Sequence, residues 1–446
     1  MEMDESQLLS LPDDALLAVL AFLPSRELFS LRVLCRRLRD MCLHPDLWRR
    51  RALRDVEYLD GNDYEQEVGL LRAVLRLVPC IGRLAGCVED FAFMVSMVPT
   101  TSCVIAELAF TIYENEALAT KILHTVHSLG GLKTLDVYLN LDLSTACTEV
   151  LNTICSLQGL RELKICFGDS ETLLLGPCLG LEVEPSLTKL RYFEMISSQR
   201  SGGGSDPFLI SFLETHAATL EEVDLPGFID EVVCSLLGKL PKLRSLACSP
   251  DPVALDFVRQ SSQLRSVLFY TSELSSAALQ ALTESRSASL LEAVGVSSLG
   301  FDPDLMALAG CLPRFPVLRE LSLKAAPTVD FLRALTPTSA PRLTKLSLRC
   351  DKKCLQAWLH DIPIQDLLQR NPRLHLQVWK SYGCSEEYAC RSSTRCDCSF
   401  CEKEKSRGRR SWFSLHRRTA DCPPGCLQVV QLPCSSALPA DSSNQQ

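Results

Sequence analysis

Eight cysteines crowd into the C-terminal part of the chain: Cys384, Cys390, Cys396, Cys398, Cys401, Cys422, Cys426 and Cys434. The stretches "CDCSFC" and "CPPGC" supply C-x-C-x2-C and C-x3-C pairs, and thiolates so spaced could hold zinc tetrahedrally through Cys396, Cys398, Cys401, Cys422 and Cys426. The spacing is irregular and matches no standard zinc fold. The competing reading, a loose Ser-rich tail with incidental or redox-sensitive thiols, is therefore preferred, and no cofactor is assigned. Between the cysteine pairs, residues 403–418, "KEKSRGRRSWFSLHRR", hold seven Lys or Arg against one Glu, with Trp412 and Phe413 interleaved. Such a run suits a nuclear-import signal, an RNA contact, a substrate-docking element or a plain solvated stretch.

Catalytic patterns are not evident. "SLGGLKT" lacks the Gly-Lys-Thr/Ser ending that brings a lysine to phosphate, and the glycine run 202–204 has no following Lys. The seven histidines, His44, His124, His127, His216, His360, His375 and His416, fall in no metal or nucleophile signature. A protein without an active site of its own is expected.

Composition sets wider bounds. With 446 residues, 46% hydrophobic and 22% charged, the chain reads as folded. A net charge of -8 argues against general nucleic-acid binding, which needs clustered Lys and Arg. No apolar run approaches the ~18 to 20 residues of a membrane span, and the acidic start, Met1 to Glu5, is unlike a secretory signal. Fourteen of the 22 cysteines precede residue 380 and sit within apolar patterns, as buried reduced thiols do. A cytoplasmic or nuclear protein is the expectation.

These residues need elements to position them. In "LPDDALLAVLAFLPSRELFSLRVLCRRLRD", residues 11–40, Leu16, Leu17, Val19, Leu20 and Leu23 follow a helix start at Leu11-Pro12-Asp13-Asp14. Pro24 stops that helix. Ser25 is a candidate cap for a second amphipathic helix carrying Leu28, Leu31, Leu34, Cys35 and Leu38. Two short helices cannot bury so wide an apolar face by themselves, so part of it should meet another domain or protein.

Together with the closing Pro45-Asp46-Leu47-Trp48, this segment resembles an F-box. The departure is Leu38, where the family often has Trp. The resemblance implies docking on the Skp-type adaptor of a cullin-RING ubiquitin ligase, through Leu11, Pro12, Leu16, Leu20, Leu23, Pro24, Leu28, Leu31, Leu34, Cys35, Arg36, Leu47 and Trp48. The protein would then be the substrate-recognition subunit of an SCF ubiquitin ligase, with proteasomal degradation of its target as the expected outcome. The alternatives are a non-degradative scaffold and a nucleic-acid or zinc-binding regulator acting through the tail.

The rest of the chain repeats. A pattern L-x-x-L-x-L, with Val, Ile or an aromatic substituting, starts at Ile105, Leu132, Leu160, Leu187, Leu220, Leu243, Leu264, Leu291, Leu318 and Leu343. Most intervals match the leucine-rich-repeat period. The interval from Leu187 contains the flexible-looking insertion 197–207. Asp206-Pro207, Asp251-Pro252 and Asp302-Pro303 read as helix starts between units. The expected fold is α/β: an F-box at 5–50, a helical linker and cap at 51–104, a leucine-rich-repeat solenoid at 105–380 with parallel strands on the concave face and helices on the convex one, and an irregular, flexible Cys-rich tail at 381–446. Non-consensus strand residues would face the target protein, with Tyr138, Lys164, Arg191, Phe193, Asp224, Tyr270, Lys324 and Arg349 as candidate contacts.

Overall fold

Period-two alternation sets the sheet. The last two apolar positions of L-x-x-L-x-L lie two apart, so an extended backbone turns both to one face. A computed structural model describes residues 9–54, 61–87, 101–112, 116–139, 147–168, 184–194, 206–227, 229–271, 275–297, 305–350, 361–380, 412–417 and 427–429. Each of the ten repeated units forms a strand, and the last two consensus side chains are at most 6% exposed in all of them. The chain divides into two compact units, Met1–Lys242 and Leu243–Gln446.

The first unit begins with helices α1 (Asp13–Leu20), α2 (Ser25–Leu31), α3 (Arg36–Cys42) and α4 (Pro45–Trp48). A parallel sheet follows, paired in chain order: β1 (Ala52–Arg54), β2 (Cys80–Cys87), β3 (Val104–Ile112), β4 (Thr134–Leu139), β5 (Glu162–Phe167), β6 (Lys189–Glu194) and β7 (Glu222–Leu225). Parallel neighbours need crossovers. Helices α5 (Gly61–Leu77), α6 (Glu116–Ser128), α7 (Cys147–Ser156) and α8 (Pro207–Thr215) lie in four of them, and α9 (Glu231–Leu237) follows β7. In α6, Ala119, Ile122, Leu123 and Val126 recur at three and four residues and are all buried, forming the helix side of the core. The glycines of "SLGGLKT" serve the turn from α6 to β4: Gly130 and Gly131 have φ of +74° and +87°, and a Cβ on Gly131 would collide with Val104.

In the second unit, β8 (Ser245–Cys248), β9 (Ser266–Tyr270), β10 (Ala293–Ser297), β11 (Glu320–Leu323), β12 (Lys345–Cys350) and β13 (His375–Lys380) are parallel and in chain order. Their crossovers carry α10 (Pro252–Gln260), α11 (Ser276–Glu284), α12 (Leu305–Cys311), α13 (Val329–Ala334) and α14 (Ile362–Arg370). The side chains of Asp206 and Asp251 cap their helices, accepting from the Phe208 and Ala254 amides at 2.8 Å each. Asp302 lies outside the described residues. Asp230, Ser275 and Thr328 do the same for α9, α11 and α13 without a following Pro, a signal that the sequence reading did not single out.

The repeat is also a repeat of hydrogen bonding. At the entrance to a strand, two successive amides converge on one carbonyl of the preceding repeat: Arg161 and Glu162 on Lys133, Thr188 and Lys189 on Arg161, Glu292 and Ala293 on Arg265, Arg319 and Glu320 on Glu292, and Thr344 and Lys345 on Arg319. Each accepting residue is the second of its L-x-x-L-x-L unit. Neighbouring repeats therefore satisfy one another's backbone groups, which a single repeat could not do.

Several expectations are corrected. Residues 51–104 are not wholly helical: β1 and β2 flank α5, so the sheet begins at Ala52 rather than Ile105. β1 is only three residues long, and Gly82 and Gly86 dilute the apolar alternation of β2, which hid both. The tail contributes two strands, β14 (Trp412–Arg417), antiparallel to β13, and β15 (Leu427–Val429), parallel to β14. Flanking charge masked β14. Cys42, Cys103 and Cys248 are buried free thiols, and burial pushes Cys103 up to about 12, but Cys155 is disulfide-bonded rather than reduced. The candidate zinc ligands Cys396, Cys398, Cys401, Cys422 and Cys426 lie outside the described residues. No described helix is long and apolar enough to cross a membrane.

His216 supplies a pH test. It follows α8, is 6% exposed, and its ring centroid lies 5.6 Å from that of Phe212. Burial lowers its pKa from 6.5 to about 4. Between those values the unfolded chain binds more protons than the folded one, so stability falls as pH drops from 6.5 toward 4. Going from pH 7 to pH 5 should cost about 2 kcal/mol through this residue, at ~1.36 kcal/mol per unit. Urea melts of His216→Phe should lack this component, and equal pH dependence in both proteins would exclude His216 as its source.

Candidate functional site

The N-terminal helices close around Trp48. Its side chain is fully buried, its indole N–H donates to the Cys42 carbonyl at 2.7 Å, and Phe29 meets it edge-on with centroids 5.5 Å apart. Leu16, Leu20, Leu28, Leu38 and Leu47 complete the core. Two arginines fasten this cluster. Arg51 Nε donates to the Leu47 carbonyl at 2.7 Å, and its guanidinium lies 5.7 Å from the Trp48 ring; burial lowers its pKa. Arg37 donates to the carbonyls of Leu9 and Leu11 and pairs with Asp13 at 2.6 Å, tying the segment before α1 to α3.

This packing divides the residues expected at a partner surface. Leu16, Leu20, Leu28, Leu47 and Trp48 are the region's own core and leave no face for a partner. Leu11, Leu23, Leu31 and Cys35 are half-buried, whereas Pro12, Pro24, Leu34 and Arg36 are exposed. The expected second helix is also broken in two. α2 ends at Leu31, Cys35 is extended, and its sulfur accepts from the Leu38 amide at 3.4 Å to cap α3. Ser25 makes no cap; it is the first residue of α2. Phe22, Val33 and Leu34, in the turns after α1 and α2, are 89%, 74% and 67% exposed. Sequence reasoning missed Phe22 and Val33. Phe22 stands just before Leu23-Pro24, where the helix has already ended and its side chain need not follow the buried stripe.

The cluster is joined directly to the sheet. β1 begins at Ala52, and the Arg83 amide in β2 donates to the Arg51 carbonyl at 3.0 Å. A Cβ on Gly82 would stand 2.7 Å from the Arg49 carbonyl oxygen and 2.9 Å from that of Arg51, so only glycine fits without a backbone shift.

Residues 8–54 match the model of the F-box-like family. The chain carries an F-box-like domain. The matched segment contains α1 to α4 and also β1, so the end of that domain is the first strand of the sheet. F-box domains generally bind Skp-type adaptors, and the match marks a protein-interaction element here. No curated protein matches the chain.

On the non-consensus face of the first unit, charges form cross-strand pairs. The register sets Asp136, Lys164, Arg191 and Asp224 in one row and Glu162, Lys189 and Glu222 in the next. Lys164 pairs with Asp136 at 2.8 Å and Arg191 with Asp224 at 3.1 Å, while Lys189 reaches Glu162 at 3.6 Å and Glu222 at 3.4 Å. Burial pulls the Lys189 ammonium down, but Glu222 and Glu162 outweigh it and hold the group above its ordinary value. Three of the candidate contact residues, Lys164, Arg191 and Asp224, are thus already ion-paired. Tyr138 is half-buried on β4, and the Phe193 side chain lies outside the described set. In the second unit Tyr270 and Arg349 are half-buried and Lys324 is exposed, while Ser347, 3% exposed, donates to Gln377 at 3.1 Å.

Three substitutions separate core, joint and surface. Trp48→Ala should cost about 3–5 kcal/mol by opening a large cavity. Gly82→Ala should cost about 1–3 kcal/mol by forcing the carbonyls of Arg49 and Arg51 apart. Phe22→Ser should stay within about 0.5 kcal/mol. Denaturant midpoints rank the three, and a large loss from Phe22→Ser would show that this residue is part of the core.

Proposed function

We propose that the protein is the substrate-recognition subunit of an SCF-type ubiquitin ligase. Its F-box-like domain docks on a Skp-type adaptor, which brings cullin and RING subunits, and its leucine-rich-repeat solenoid holds the target protein on the strand face. The observation that carries this reading is the separation of core from surface in the F-box-like domain. Its own leucines and Trp48 are satisfied, yet Phe22, Val33 and Leu34 stand in water. Burying an apolar side chain of that size is worth about 1.5–3 kcal/mol, so a partner that covers them gains affinity without disturbing the core.

The repeats support the second half of the reading. The last two consensus positions are buried in every unit, and the remaining strand residues line one face in rows whose chemistry is set by this chain alone. The subunit performs no chemistry; it holds target and transfer machinery together, which makes the transfer effectively intramolecular. The cytoplasm and nucleus are the compartments where it would act.

The test is affinity for a purified Skp-type adaptor. The double variant Phe22→Asp/Leu34→Asp should bind at least about 100-fold more weakly, the equivalent of ~2.7 kcal/mol, with an unchanged melting temperature. Undiminished binding by that folded variant would overturn the docking surface. In cells, depletion of the protein should lengthen the lifetime of captured targets, and capture with unchanged target lifetimes would instead favour a scaffold role.

A further inference from the structure

Parallel repeats add in one direction, and each new strand leaves an open edge of N–H and C=O groups on which any strand of matching register can pair. In the second unit that edge belongs to β13, and it is closed by a strand running the other way. Five register pairs join β13 to β14, from His375↔His416 to Trp379↔Trp412, and three more join β14 to β15. Helix α14 also packs against β14.

The closing strand is not another repeat. It belongs to the basic run 403–418, and residues 381–411 separate it from Lys380, where β13 ends. We propose that Trp412–Arg417 is an exchangeable edge strand: it guards β13 within its own chain, and β13 accepts the same strand from a second copy when its own is released. Strand addition draws its affinity from main-chain hydrogen bonds, which the second copy reproduces over the same five pairs. Residues 381–411 number 31, a length whose upper limit of extension is roughly 100 Å at ~3.3 Å per residue. Reciprocal exchange closes as a two-fold dimer. β15 is only three residues long, and so short a strand offers few backbone groups for pairing with further strands.

The test uses the full-length chain carrying Phe413→Pro/Ser414→Pro. Successive strand residues point their N–H groups to opposite sides, so one of the two prolines necessarily removes a bond to β13. Hydrogen exchange should show His375–Lys380 losing about tenfold or more protection while β8 to β12 keep theirs, which establishes that the fold survives. A peptide spanning residues 409–419, added in trans, should restore that protection. Wild-type protein concentrated and warmed should yield a dimer fraction that rises with concentration, absent from the proline variant. Unchanged protection in the variant, failure of the peptide to restore it, or a wild type that stays monomeric at every concentration would each overturn the proposal. None of these readouts depends on adaptor binding, so the proposal stands or falls apart from the ligase reading.

Discussion

The carbonyl oxygens of Arg49 and Arg51 press so closely on Gly82 that no side chain fits between the end of the F-box-like domain and β2. The rest of the first unit depends on that contact. It lets the three residues Ala52–Arg54 pair with β2 as a parallel strand, so the helical cluster has no separate linker. Arg51 works on both sides of the joint: its guanidinium covers Trp48 and bonds to the Leu47 carbonyl, while its own carbonyl accepts from the Arg83 amide. A partner held by the helices is therefore held in fixed relation to the first strands of the sheet. For a subunit whose proposed task is to set a target at one distance from transfer machinery, a hinge at this position would defeat the purpose, because effective concentration depends on restricting geometry.

The repeats were legible in the sequence because their signal is local and redundant. Ten units place an apolar residue at the same offsets, and burial of those positions follows from strand geometry alone. The F-box-like helices were legible in composition but not in detail. Leu28 and Leu34 have the same chemistry in the sequence, yet one is fully buried and the other 67% exposed. The difference arises from the break at residues 32–35, where the Cys35 sulfur takes the Leu38 amide as a cap. Cysteine is not among the usual capping residues, so helical periodicity ran through the break unseen. β14 was hidden for another reason: its strand-forming residues sit between arginines, and what makes it a strand is the open edge of β13, which is a tertiary feature.

The non-consensus strand residues of the two units differ in charge, and each unit stands by itself. In the first unit the ion pairs are partly exposed, and pairs in such positions contribute roughly 0–1 kcal/mol each to stability. Their larger effect is on register: a one-residue slip of β5 against β6 would part Glu162 from Lys189 and turn every buried leucine outward. The same pairing limits binding. On the proposed target face, a charged ligand would have to compete with Asp136 for Lys164 or with Asp224 for Arg191, so its gain would be the difference between two similar contacts.

In the second unit Lys345 and Glu320 pair across β12 and β11 at 2.5 Å, and the row beside them is uncharged. That row runs Ala247, Leu268, Gly295, Ser322, Ser347 and Gln377, with no ionisable group. Leu268 lies across Gly295, so that a Cβ there would press on its terminal methyl and make the leucine move. If the proposed target face includes this row, a ligand there would displace no ion pair within the row, so shape and hydrogen bonding would set affinity at lower desolvation cost.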